Sequence, residues 1–327
     1  MIPLPFILPP YYVGEITFIV IMCIASVGLM ALTGLTGQVS LGQAAFVGIG
    51  AYVHTILLTA GVPLPLSLVL TGAATGLAGL CIGLPAIRVS GLHLAMVTLA
   101  FAIVTDHVLG RWTSVTGGQG GLQVPDPSVF GLSLGGPRAF YFLCLSILIA
   151  VVMGILNILR SSTGRAFIGV RDSEAAARGL GIRVAQTKLL AFVISAAISG
   201  LAGALLAHQT QFITPDSFNM GLSVQLVLMV FIGGMGSIRG AILGAILIGW
   251  LPSFISAVKP LLPNRLSGQF GIELFVYGAV LVSFVLWEPQ GLNGRWQKIS
   301  SVISDFPLSR RPTSKRAKAY MRSERYK

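Results

Sequence analysis

The stretch Ile16-Thr-Phe-Ile-Val-Ile-Met-Cys-Ile-Ala-Ser-Val-Gly-Leu-Met-Ala-Leu-Thr33 runs for eighteen residues without a formal charge. Wound as an α-helix at 1.5 Å per residue, it is about 27 Å long, close to the ~30 Å of hydrocarbon in a bilayer. Similar stretches recur outward from it. Nine spans are expected, at about 16–33, 43–60, 66–86, 92–110, 139–159, 188–208, 222–236, 240–258 and 270–287. Composition agrees: 54% of the 327 residues are hydrophobic, 10% are charged and the mean hydropathy is +0.85. A soluble domain carries about 25% charged residues, because its surface must be hydrated. The 40 glycines fit helices whose backbones approach closely within lipid. The expected fold is an all-α, polytopic transmembrane helix bundle of about nine spans.

The net charge of +12 would suit nucleic acid if it were clustered on a soluble surface. Its placement argues otherwise. With nine spans, 18 of the 22 lysines and arginines fall on one side, in the loops at 34–42, 87–91, 160–187 and 237–239 and in the tail. Only Arg111, Arg138, Lys259 and Arg265 fall on the other. Basic excess marks the cytoplasmic side, so the N-terminus is expected outside and the C-terminus inside, with no nucleic-acid partner. The start, Met1 to Pro10, lacks a basic region of the leader type, so the first apolar helix is expected to act as its own insertion signal. Cys23, Cys81 and Cys144 each lie in an apolar run without ligand spacing and read as buried small hydrophobes.

Three segments interrupt the apolar pattern. Residues 111–138 form a glycine- and proline-rich outer loop, which can hold a short interfacial helix. Residues 160–187 form the one long polar loop on the inner side. Residues 288–327 form a basic tail suited to anionic headgroups at the lipid surface; residues 1–287 are read as the transmembrane domain. A short internal echo joins Gly34-Leu-Thr-Gly37, which precedes Gly42, to Gly233-Gly234-Met-Gly236. Both place a GxxG turn before a small-residue helix, and transporters are often built from repeated halves.

The chain contains no Gly-Lys dipeptide and hence no Walker A loop. No HExxH, zinc-ligand spacing or GxSxG context occurs, so no catalytic residue, metal or cofactor is assigned, and any ATP is expected on another chain. Ionisable residues within or at the rim of spans are Glu15, His54, Asp106, His107, His208 and Glu273. All but His54 are expected near the outer rim, within reach of water. The absence of a deep Asp, Glu, Lys or Arg relay disfavours a proton-driven secondary transporter or facilitator, the main alternative. Gln38, Gln43 and His54 are the polar candidates for a solute pathway.

The inner loop is the most informative segment. Asp172 reads as an N-cap, Glu174 suits a first helical turn, Ala175, Ala176 and Ala177 favour helix, and Gly179 and Gly181 supply a stop. Arg178 stands one turn from Glu174, where an ion pair can form. A helix this short is marginal alone and is expected to dock on another protein.

Over roughly residues 20–295 the chain resembles the M-type membrane subunit of branched-chain amino-acid (Liv-type) ABC importers. The resemblance rests on Gly34–Tyr52, the Thr116-Gly-Gly loop, Ser162–Gly181, Gly233-Gly-Met-Gly-Ser and Trp287–Leu292. It implies a permease in the bacterial inner membrane, paired with a second, homologous permease subunit, two cytoplasmic ATPase subunits and a periplasmic solute-binding protein. It also implies that 172–181 is the coupling loop of the EAA type. There the sequence departs from the pattern: the glycine expected six positions after Glu174 is Leu180, with Gly179 and Gly181 on either side. Related permeases serve branched-chain amino acids, urea, short amides and aromatic acids, so the resemblance leaves the solute open among them.

Overall fold

The computed structural model describes residues 9–87, 89, 91–129, 132–133, 135–258, 278, 282–283 and 291–294. Its helices are α1 (Pro10–Thr36), α2 (Gln43–Thr59), α3 (Leu64–Ala86), α4 (Leu92–Arg111), α5 (Thr113–Thr116), α6 (Pro137–Arg160), α7 (Ser162–Asp172), α8 (Glu174–Gly179), α9 (Val184–Thr210), α10 (Met220–Gly233) and α11 (Ile238–Val258). The chain is an all-α, multi-pass membrane bundle. Among the described residues, six helical segments are long and apolar enough to cross a bilayer: α1, α3, α4, α6, α9 and Pro215–Gly233, which adds a 3₁₀ turn to α10. Two shorter apolar helices, Gln43–Thr59 and Ile238–Phe254, stand where the second and eighth spans are expected. The expected ninth span, most of the tail and Glu273 lie outside the described residues.

Local chemistry sets the helix ends. Proline occupies the first turn of α1, α3 and α6, where its missing N–H costs nothing. Gly37 ends α1 in the left-handed conformation (φ 71°), and its N–H closes on the Thr33 carbonyl. The outer segment 111–138 folds as α5, a 3₁₀ turn at Gly118–Gly120 and short strands. Leu122–Gln123 pairs antiparallel with Phe212–Ile213, and Ser128–Val129 with Leu132–Ser133.

The core is built around α1 and α9. From Val20 to Thr36 every residue of α1 is buried, as expected of a helix apolar on all sides and enclosed by others. Helix α9 packs against α1, α2 and α3. The contact with α3 uses small residues: a Cβ on Gly79 would lie 2.5 Å from the Ala196 Cβ, and one on Gly83 2.6 Å from Leu189. Such a stripe brings backbones close and maximises dispersion contact where no hydrophobic effect drives association. Helix α11 lies along α1, with Ser26 Oγ donating to the Ala241 carbonyl at 3.1 Å. On α6, Tyr141, Cys144, Leu148, Val151 and Ile155 face inward, while Ile149, Met153 and Leu156 are exposed. Cys23 and Cys144 are buried as expected, whereas Cys81 is exposed on α3, on the face turned away from α9.

Candidate functional site

The loop expected at 160–187 folds as two helices. Phe167 of α7 enters the main core, and Val170, Ala177 and Val184, with Ile182 against them, form a small separate one. The segment is therefore anchored to the bundle by apolar packing. The N-cap of α8 is Ser173, not Asp172: its Oγ accepts from the Ala176 N–H at 3.3 Å. Asp172 is instead the last residue of α7, where its carboxylate pairs with Arg171 at 3.1 Å. The displacement is physical. The seryl oxygen reaches the third N–H of the helix that starts at Glu174, which Asp172, one residue earlier, does not cap. Gly181 adopts φ 80° and turns the chain toward α9.

The surface left by this packing is small and mixed. Ala175, Ala176, Arg178, Gly179 and Gly181 are exposed, and Leu180 stands 82% exposed among them. Glu174 carries two bonds. Arg178 pairs with it at 3.4 Å along the helix, and Lys188 Nζ reaches its other oxygen at 2.5 Å. The first pair is solvated and contributes at most a few tenths of a kcal/mol. The second differs, because Lys188 is only 5% exposed, and a cation so buried is tolerable chiefly when paired. Sequence alone counts Lys188 as one more loop charge. The structure makes it the tie between α8 and the foot of α9.

The two GxxG turns, far apart in the chain, meet in space. A Cβ on Gly34 would lie 2.6 Å from the Gly236 nitrogen, and one on Gly236 would crowd Arg171 Nη1 at 3.0 Å and the Gly34 carbonyl at 3.2 Å, so glycine suits both positions where α1 reaches the α10–α11 turn. Gly234 and Gly236 have positive φ (110° and 83°), and a Cβ on Gly233 would overlap the Gly240 carbonyl. Gly42 precedes α2, and a Cβ there would stand 2.5 Å from the Thr98 carbonyl of α4. Arg171, which no motif singles out, donates from Nη1 to the Gly34 carbonyl at 3.2 Å.

The three polar pathway candidates are all buried. Gln38 Nε2 donates to Thr36 Oγ1 (2.8 Å) and the Lys188 carbonyl (3.4 Å). Gln43 Nε2 bonds Ser195 Oγ at 2.9 Å and also Ser199 Oγ. His54 shares Nδ1 with Ser67 Oγ at 2.7 Å and Nε2 with His208 Nε2 at 3.0 Å. Gln43 and His54 lie three turns apart on one face of α2, which is why both reach α9. The side-chain oxygens of Gln38 and Gln43 have no hydrogen-bond partner. His208 corrects the sequence reading: it is not at a solvated rim but 7% exposed, covered by His54 and by the ring of Phe140. Residues near a helix end face water only where no neighbour covers them. Among the described residues, no three His, Cys, Asp or Glu side chains gather to hold a metal ion.

Over residues 11–285 the chain matches the family described as branched-chain amino acid transport system / permease component. It is 33% identical over 314 residues to the high-affinity branched-chain amino acid transport system permease protein LivM of Salmonella typhimurium, covering 88% of this chain and 71% of that protein. It is 27% identical over 308 residues to the probable branched-chain amino acid transport permease protein LivH of Methanocaldococcus jannaschii, covering 89% and 94%. It is also 28% identical over 270 residues to the autoinducer 2 import system permease protein LsrC of Escherichia coli O9:H4, covering 79% and 73%. No solved structure matches the chain. A multi-pass bundle matched by one family along most of its length, the chain belongs to the permease components of branched-chain amino acid transport systems.

Proposed function

We propose that this permease forms half of the solute pathway of an ATP-driven importer for branched-chain amino acids or a related small polar solute, in a bacterial inner membrane. A second, homologous permease subunit completes the pathway, two ATPase subunits bind from the cytoplasm, and a periplasmic binding protein delivers the solute. This chain transports and performs no hydrolysis itself, so ATP is held by its partners. The observation that carries the reading is the exposed Ala175-Ala176-Leu180 surface. It is fixed to the bundle through Glu174 and Lys188 and needed by no core of its own. Asp172, Glu174, Ala175, Ala176, Arg178, Gly179 and Gly181 are the proposed coupling set. The unpartnered oxygens of Gln38 and Gln43 are the acceptors proposed for a solute N–H, and His54, whose ring nitrogens are both engaged, is placed beyond them on the same pathway. The test is uptake of labelled leucine, urea, acetamide and benzoate into vesicles. Uptake of one of them is expected only with internal ATP and added binding protein. Uptake driven by a proton gradient alone would refute the reading.

Nine spans, with residues 1–287 as the membrane domain and 288–327 as an inner tail, complete the proposal. Its support is the 18 to 4 division of basic residues. In a background lacking the native cysteines, Ser162→Cys is expected to resist an impermeant thiol reagent applied from outside. Gln123→Cys, on the outer segment, is expected to react. Reversed labelling would invert the orientation, and the proposed coupling surface would then face away from any cytoplasmic ATPase.

A further inference from the structure

We infer that Arg171 is the joint through which α7 and α8 move the membrane bundle; this rests on the coupling reading above. The last carbonyls of a helix have no partner within it. Gly37 takes the Thr33 carbonyl of α1, and Arg171 takes the next one, at Gly34. A cation at a helix C-terminus is also favoured by the aligned peptide dipoles. The same Nη1 lies 3.0 Å from where a Cβ of Gly236 would stand, and Arg171 Cγ lies 3.4 Å from the corresponding point on Gly37. One guanidinium thus sits where α1, the α10–α11 turn and the end of α7 converge. Asp172 orients it through Nε.

The glycines explain why an arginine fits there. With Gly34 against Gly236, a side chain on either would part the two turns or expel the guanidinium. The side chain of Arg171 is 38% exposed, so its ion pair with Asp172 adds little stability. Its contribution is geometric: the planar fork holds the Gly34 carbonyl through Nη1 while Nε is fixed by Asp172, a fixed spacing of two donors that a single ammonium lacks. Helix α11 lies along α1, so a displacement of α7 that Arg171 passes to the end of α1, beside the Phe167 packing, reaches α11 as well. The Glu174–Lys188 pair carries displacement separately to α9. An arrangement of this kind supplies the contiguous contacts that energetic coupling between distant sites requires.

The test measures leucine taken up per ATP hydrolysed by the reconstituted complex with its binding protein. Arg171→Ala is expected to assemble with the ATPase subunits and to hydrolyse ATP. Its ratio of leucine to ATP is expected to fall about tenfold or more, within the usual range of coupling free energies. Arg171→Lys keeps the charge but loses the fork. It is expected to fall between the two, and it carries the test if Arg171→Ala does not accumulate. A purely structural role would lower abundance and leave the ratio unchanged. An unchanged ratio in the accumulating variant therefore overturns the inference while leaving the importer reading intact. ATP-independent uptake by the wild-type complex would overturn both.

Discussion

Replacing Ala176 with tryptophan is expected to stop solute uptake while leaving the protein in the membrane at ordinary abundance. Ala176 is exposed on α8, its N–H is held by Ser173 Oγ, and the neighbour that packs inward is Ala177, fully buried. An indole at 176 therefore projects into solvent and touches neither core. A helix of six residues cannot stand alone, so its order comes from Ser173, Ala177 and the Glu174–Lys188 pair, none of which the substitution removes. An ATPase cleft shaped for two alanines and Leu180 would instead meet a much larger group. Overpacking of a fitted contact costs about 1–3 kcal/mol. At 1.4 kcal/mol per tenfold, ATPase recovered with the permease should fall roughly fivefold to a hundredfold. The paired measurement is membrane abundance and co-purified ATPase. A variant that is abundant, binds the ATPase and transports would remove α8 from the coupling surface.

Gly203→Leu is expected to fail at an earlier stage, by preventing the bundle from closing. A Cβ on Gly203 would overlap the Val47 carbonyl and stand 3.0 Å from the Ala51 nitrogen. Both are backbone atoms of α2, so no rotamer change relieves the clash, and the two helices would have to separate. Separation would also break the Gln43–Ser195 and His54–His208 bonds across the same interface. Each loss leaves polar atoms stranded in an apolar interior, at about 1–3 kcal/mol apiece. Membrane abundance should fall to about a tenth of wild type or lower, since a few kcal/mol is a large fraction of net stability. Gly154→Leu is the control. It makes the same change in transmembrane helix α6, where a Cβ meets nothing within 4 Å, and it should be neutral. Equal abundance of the two variants would refute the close α2–α9 approach.

Much of the candidate site could be read from residue chemistry. A run of alanines beside glutamate, followed by glycines, predicts a short helix wherever it lies, because propensity and turn conformation are local properties. The Glu174–Arg178 pair follows from helical spacing in the same way. What escaped was every partner chosen across the fold. Arg171, Arg178 and Lys188 look alike as loop cations. One of them caps α1, one remains on the surface and one is buried against Glu174. His54 and His208 lie on different helices at no recognisable spacing, yet share a hydrogen bond.

By itself the sequence determined that the chain is a helical membrane bundle, because an unbroken run of eighteen uncharged residues satisfies its backbone in lipid as a helix and lacks the short alternating pattern of a barrel strand. It also determined where most helices lie and that a polar helical segment protrudes between two of them. Only the tertiary structure decided which face of each helix is inside. Lipid is as apolar as a protein core, so Ile149 and Met153, exposed, read the same as Leu148 and Val151, buried. Binary patterning, which reports burial in water, carries no such signal here. Glycine is legible as smallness but not as contact. That Gly34 meets Gly236 with Arg171 beside the two turns depends on how α1, α7 and α11 cross, and no local property of those residues encodes the crossing.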